Sequence, residues 1–337
     1  MLNVYPPQST CALFSSARLK ELQVTTEQLS TNSRVRSAQT GSIRLRRVLG
    51  RDFALGYTLI IPLFIILFGL LAYPIFTALT ITLQNKTVGM PGQFIGLGNY
   101  RELLFDDPVF WRVVRNGFLF TFGSVALKLV LGMIMALVLN QPIFARGFFR
   151  GILLMPWVAP TVVTALSWRW MLDLTGVFNY LLRSAGVIGM PIAWLAQYNT
   201  AMAALIMVNT WRGFPFFGVT LLAGMQSIPA ELYEAAEIDG ASAWQRFWYV
   251  TLPSLRTILL VVAILSIIWT FNDFSTVWLL TGGGPGNATD VFATYTYKLG
   301  FRASRLGYGQ TVSVILAPVL IGIIMILSPL MLRGENE

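Results

Sequence analysis

The chain contains no histidine, one cysteine (Cys11) and only four lysines in 337 residues. The missing histidine removes the commonest general base and metal ligand. One thiol can close no intrachain disulfide and build no cysteine metal cluster. The lysines are Lys20, Lys86, Lys128 and Lys298, and none follows a glycine. A phosphate-cradling loop of the form G-x-x-x-x-G-K-[ST] is therefore absent, and any ATP chemistry must come from another polypeptide. Charge is scarce as well: 12% of residues are charged, about half the share in soluble domains. With no nucleophile–base pair in view, the sequence offers no catalytic residue and no metal site.

What remains is apolar. The chain is 55% hydrophobic with a mean hydropathy of +0.65, and its apolar runs approach twenty residues, as in an all-α polytopic membrane protein. The net charge of +9 is not gathered on a soluble domain, which argues against a nucleic-acid partner. It sits mostly in the first 52 residues and in short loops, as membrane topology requires.

Residues 1–52 carry Arg18, Lys20, Arg34, Arg36, Arg44, Arg46, Arg47 and Arg51 against Glu21, Glu27 and Asp52. No apolar core of a cleaved signal peptide follows the start. The Ser-, Thr- and Gln-rich composition predicts a disordered cytoplasmic tail. Its arginine cluster reads first as an orienting signal, with contact to anionic lipid as the alternative. Residues 53–337 form the membrane domain. Hydropathy predicts six spans, Tyr57–Leu79, Phe118–Leu139, Phe149–Leu172, Ala201–Leu222, Ile258–Leu280 and Thr311–Leu332. Each is long enough to cross a hydrocarbon core of about 30 Å. With the tail inside, the inner segments hold thirteen Lys and Arg and the outer loops eight, which predicts both termini inside. The outer loop Thr80–Gly117 is expected to carry a short amphipathic helix around Tyr100–Val114.

Three cations, Lys128, Arg169 and Arg212, fall inside spans, where a charge costs several kcal/mol unless it faces protein or water. Lys128 is read as snorkelling or as paired within the bundle. Arg169, between Trp168 and Trp170, fits an interfacial aromatic belt. Arg212 lies in NTWRGFPFF, where Gly213 and Pro215 are expected to loosen the helix beside Asn209, Trp211 and Phe216. Aromatic faces next to hydrogen-bonding groups suit a sugar ring, so the segment is either substrate-lining or a kink around a packed arginine. In the fifth span Ser266, Trp269, Thr270 and Asp273 recur at i, i+3, i+4 and i+7 on one helical face, with Asn272 beside them. That stripe either faces a polar path between helices or serves to pair Asp273 with Lys128 or Arg212.

Between the fourth and fifth spans lies YEAAEIDGASAWQRFWYVTLP, Tyr233–Pro253. Pro229 and Glu231 suit the first turn of a helix. Ala235 and Ala236 keep one side small, and Asp239–Gly240 turns the chain. A second amphipathic stretch, Ala241–Val250, carries Trp244, Phe247 and Trp248. The pattern predicts a helix pair along the inner surface (segment 229–253) that either docks a partner or links two spans.

EAAEIDGA followed by WQRF and TLP resembles the EAA loop of permease subunits from binding-protein-dependent ABC importers. WRGFPFFGVTLLAGMQSIPAELYEAA (Trp211–Ala236) and WLLTGGGPGNATDVFATYTYKLGF (Trp278–Phe301) are similar to the maltose- and glycerol-phosphate-type carbohydrate branch. The resemblance covers about residues 53–332; Val250, where the motif often has isoleucine, keeps the apolar contact.

The resemblance implies the transmembrane domain of a type I ABC importer in the bacterial inner membrane, the first of two homologous membrane subunits. It further implies two ATPase subunits that carry the ATP and Mg, an extracytoplasmic solute-binding protein, and no cofactor on this chain. Glu234, Ala235, Ala236, Asp239, Gly240 and Ala241 would couple to the ATPase. Arg212, Gly213, Phe216, Ser266, Trp269, Thr270 and Asp273 would line the substrate path. A neutral di- or oligosaccharide ranks first as substrate, with an anionic sugar second. The competing readings are an importer of the same architecture for a non-carbohydrate solute, an ion-coupled carrier and a membrane enzyme.

Overall fold

The computed structural model describes residues 53–332, so the tail expected over 1–52 lies outside the described residues. The chain divides into two units, Met1–Ile75 and Phe76–Glu337. α1 (Phe53–Leu67) passes through a π-helical turn, Phe68–Ala72, into α2 (Tyr73–Thr82), within which the division falls. Every residue from Ile60 to Leu71 is exposed. A helix that is apolar all round belongs in a membrane or a protein interior.

In the second unit α2 is followed by a short antiparallel pair, β1 (Gln84–Asn85) and β2 (Gln93–Phe94). The surface helix predicted over Tyr100–Val114 is interrupted. Pro108 drives Asp107 into extended backbone, φ −100° and ψ 100°, and the chain restarts there as α3 (Pro108–Asn140). The Asp107 carboxylate caps this helix by accepting from the N–H groups of Val109 and Phe110 at 2.8 and 3.2 Å. The second half of the expected surface helix is thus about the first two turns of the second span.

The predicted third span is two helices, α4 (Arg146–Val158) and α5 (Thr161–Met171), bent by 92°. Proline at 160 cannot continue the ladder and holds Ala159 extended at ψ 137°. The fourth, α6 (Tyr198–Gln226), is longer than its apolar stretch and is not loosened at Gly213 and Pro215. Pro215 is buried and removes one rung; the close packing of α6 on α3 keeps the axis continuous. Next come α7 (Ala230–Ile238), α8 (Ala243–Arg246) and a segment to Ser254 that meets α9 (Arg256–Phe271) at 65°. The predicted fifth span ends early, at Phe271, and α10 (Phe274–Leu280) begins afresh. After a glycine-rich loop, α11 (Phe292–Tyr297) leads to α12 (Leu306–Leu332).

Lipid supplies little drive for helices to associate, so small residues that let backbones approach decide where they meet. Gly132 of α3 lies against the backbone of Phe217 and Gly218, and Gly218 lies against Met135. Around this seam Met133, Ala136, Leu139, Leu221, Leu222 and Met225 are buried in one cluster. Phe120, Leu205 and Val208 bury in a second, against Trp168 and Leu172. These contacts fix the faces of α3 and α6 that look toward α9.

Candidate functional site

Where the middle of α3 and of α6 meets the C-terminal end of α9, the structure contains a cavity of about 490 Å³. All seven residues expected on the substrate path line it: Arg212, Gly213, Phe216, Ser266, Trp269, Thr270 and Asp273. They come from two helices and the break after α9, so hydropathy alone could not have brought them together.

Lys128 of α3 forms part of the wall and is only 5% exposed. Its ammonium donates to Thr270 Oγ1 at 3.1 Å and to Ser266 Oγ at 3.4 Å. This is neither snorkelling nor an ion pair: the lysine is held by two hydroxyls of the α9 stripe. Gly213 explains how it reaches them, because a Cβ there would lie 2.5 Å from Lys128 Cε and 2.9 Å from Cδ. The glycine expected to break α6 is the groove through which the lysine stem passes.

Asp273 does not continue the α9 face. It lies past the helix end and caps α10, its Oδ1 accepting from the Thr276 N–H at 3.0 Å. Its Oδ2 accepts from the Asn209 amide at 2.9 Å, which ties α6 to the α9–α10 break. The remaining oxygen of Asn209 and the Nε of Arg212 are buried with no protein partner. Aromatic rings line the same cavity. Trp157 stacks on Phe216 with centroids 5.8 Å apart, and Trp269 meets Phe216 edge-on at 5.3 Å. The lining thus offers ring faces next to donors and acceptors. Sequence reasoning allowed Lys128 a partner within the bundle without placing it on the path, and missed Trp157 and Thr161, which reach the cavity only because α4 and α5 bend beside it.

The second predicted site is equally concrete. Among its residues α7 buries none. Gly240 ends the helix at φ +75°, with its N–H on Glu237 O at 3.0 Å and the Ala241 N–H on Ala236 O at 2.9 Å, the paired bonds of a left-handed C-terminal cap. Ser242 and Gln245 then cap each other's helix end reciprocally. The Tyr233 and Thr251 hydroxyls, 3.0 Å apart, bind the two halves together. Trp244, Phe247 and Trp248 lie over Leu129, Met133 and Leu137 of α3, around an apolar hollow of about 730 Å³. Glu234, Ala235, Asp239 and Gly240 are exposed, while Ala236 and Ala241 are half-buried. A capped rigid helix is therefore anchored through its aromatic neighbour and presents its own surface outward.

The loop after α10, TGGGPGNATD, is a built element. Gly282, Gly283 and Gly286 all have positive φ, and a Cβ at Gly286 would collide with the Tyr198 hydroxyl. Arg112 donates to Gly286 O at 3.1 Å, and Asn116 to Asn287 O and Asp290 O at 3.2 Å each. Asp290, fully buried, pairs with Lys298 at 2.6 Å. Burial pushes its carboxyl above the usual range, and the Lys298 ammonium holds it down.

Residues 128–332 match the family model described as binding-protein-dependent transport system inner membrane component. The chain is 36% identical over 267 residues to the trehalose/maltose transport system permease protein MalF of Thermococcus litoralis, covering 79% of this chain and 89% of that protein. It is 34% identical over 268 residues to the sulfoquinovosyl glycerol transport system permease protein SmoG of Agrobacterium fabrum, covering 79% and 86%. Its fold matches a chain of a bacterial ABC transporter involved in alginate import, with a TM-score of 0.73 at 24% identity over 86% of this chain and 99% of that one.

Proposed function

The chain belongs to the binding-protein-dependent transport system inner membrane component family, and on that premise we propose that it forms half of the translocation path of an ATP-driven carbohydrate importer. The observation that carries this reading is the cavity between α3, α6 and α9, whose lining combines the rings of Trp157, Phe216 and Trp269 with Lys128, Asn209, Arg212 and Asp273. A sugar ring stacks its C–H face on such rings while its hydroxyls take the donors and acceptors. Relatives named for trehalose/maltose and sulfoquinovosyl glycerol support the carbohydrate class.

In this reading the chain works with a second, homologous membrane subunit, two ATPase subunits and an extracytoplasmic solute-binding protein in the inner membrane. ATP and Mg act on the ATPase subunits; this chain is a transport subunit with no catalytic residue and no cofactor. Glu234, Ala235, Ala236, Asp239, Gly240 and Ala241 meet the ATPase surface. ATPase closure pushes α7, which is stiffened by its caps. The push passes through Tyr233 and Thr251 and through the packed Trp244, Phe247 and Trp248 into α3 and α9. Because α3 and α9 both line the cavity, their displacement exchanges its opening from one membrane face to the other, as alternating access requires. Binding-protein docking delivers sugar to the outward-open cavity, and hydrolysis resets it.

The test is the ATPase activity of the reconstituted complex with binding protein across a panel of sugars. Stimulation by one liganded binding protein supports the importer and identifies its substrate. Assembly of the complex without stimulation by any sugar overturns the carbohydrate assignment. Uptake without ATPase subunits would favour an ion-coupled carrier instead.

A further inference from the structure

The charges in the cavity do not cancel. Lys128 and Arg212 are two cations, and Asp273 is the one carboxylate among the described residues that line it. Both oxygens of Asp273 are already taken, one by the α10 N-terminus and one by Asn209. Neither cation is ion-paired with a carboxylate among the described residues. Lys128 commits two of its three ammonium protons, to Thr270 and Ser266. The Nε of Arg212 is buried without any protein acceptor. A lone buried cation is costly, and the cost falls when an anion arrives with hydrogen-bonding oxygens. The planar guanidinium offers two parallel N–H groups to an oxyanion, and an ammonium offers a point charge beside it. Hydroxyls of a neutral sugar can accept these protons but leave the positive charge standing.

We propose that the sugar this chain carries bears one anionic group, a carboxylate or a sulfonate, and that Lys128 and Arg212 receive it while Phe216 and Trp269 hold the ring. The inference rests on the cavity being the substrate path of a carbohydrate importer, and it replaces the neutral sugar that the sequence ranks first.

The experiment compares three disaccharides that differ only at one C6: hydroxymethyl, carboxylate and sulfonate. Each is measured by equilibrium dialysis against the complete transporter in lipid nanodiscs without binding protein, whose own selectivity would intrude. At least one acid should bind about 10- to 100-fold more tightly than the neutral sugar, the range expected for hydrogen bonds to charged groups. The tighter of the two acids names the oxyanion. Lys128→Gln should abolish that preference, read as the ratio of acid to neutral-sugar affinity within the same variant, and Lys128→Arg should restore it in part. Equal binding of all three sugars to the unaltered complex overturns the proposal without recourse to any variant, as does a preference that survives Lys128→Gln. ATPase stimulation by liganded binding protein, read on the same preparation, separates the two levels. Stimulation together with equal binding leaves the importer standing and removes the anionic class. No stimulation by any sugar removes the carbohydrate reading, and this inference with it.

Discussion

The seam between α3 and α6 makes a quantitative prediction. Alanine at Gly132 would place its Cβ against the Phe217 Cβ, 3.0 Å from the Gly218 nitrogen and 3.2 Å from the Phe217 carbonyl carbon. Two of these three obstacles are backbone, so no rotamer change relieves the clash and the helices must separate. Overpacking of this kind costs about 1–3 kcal/mol, against a gain of about 1 kcal/mol because alanine is the better helix former. Separation also loosens Gly218 from Met135 and Gly213 from Lys128 along the same seam, which places Gly132→Ala at a net loss of about 1–2 kcal/mol. Gly151→Ala is the internal control, because nothing lies within 4 Å of its Cβ position on α4. It should be neutral or gain up to about 1 kcal/mol. Thermal unfolding of the two variants in the same detergent should therefore rank Gly151→Ala above the parent and Gly132→Ala below it. Coincident melting curves, or the reverse order, would refute the reasoning about close backbone approach.

Four further outcomes are expected. Glu234→Lys should uncouple ATP hydrolysis from uptake while the purified subunit keeps its melting temperature, and Gly240→Pro, which can neither hold φ +75° nor donate to Glu237 O, should uncouple it by breaking the cap of α7; wild-type uptake in both would sink the docking role of α7. Arg212→Ala should impair uptake of an acidic sugar far more than that of a neutral one, and equal loss for both would make the arginine structural. Gly286→Ala adds a Cβ at φ +50° against the Tyr198 hydroxyl; it should expose the loop after α10 to protease, whereas an unchanged cleavage pattern would contradict the built-loop description. Lys298→Met leaves the buried Asp290 without its counter-charge. Burial raises that carboxyl in the folded state, so the fold holds its proton to higher pH than the unfolded chain does, and the stability of the variant should fall as pH rises above about 4. Melting temperatures that are flat with pH would count against this.

The positions of the spans were legible because twenty apolar residues have few other uses, and the candidate path was legible because Ser266, Trp269 and Thr270 share a helical face. The bends were harder to read. Hydropathy runs straight across Ala159–Pro160, yet α4 and α5 meet at 92°. Gly213 and Pro215 looked like a break because both lower helix propensity, but a glycine also serves where another chain must pass, and only the neighbour reveals which use applies. The partners of Lys128 within the bundle could not be named for the same reason: Ser266 and Thr270 lie 138 and 142 residues away. Asp273 was placed on the right wall by a periodicity that ends two residues earlier, at Phe271.

The central claim is that the cavity is the moving part of the path, and its accessibility can be measured directly. With Cys11 replaced by serine, Phe216→Cys provides a single thiol in the cavity wall. In the reconstituted complex, a membrane-impermeant maleimide should label it from the cytoplasmic face without nucleotide, and from the opposite face once the ATPase is trapped closed with ATP and vanadate. Labelling that ignores the nucleotide state would contradict the account.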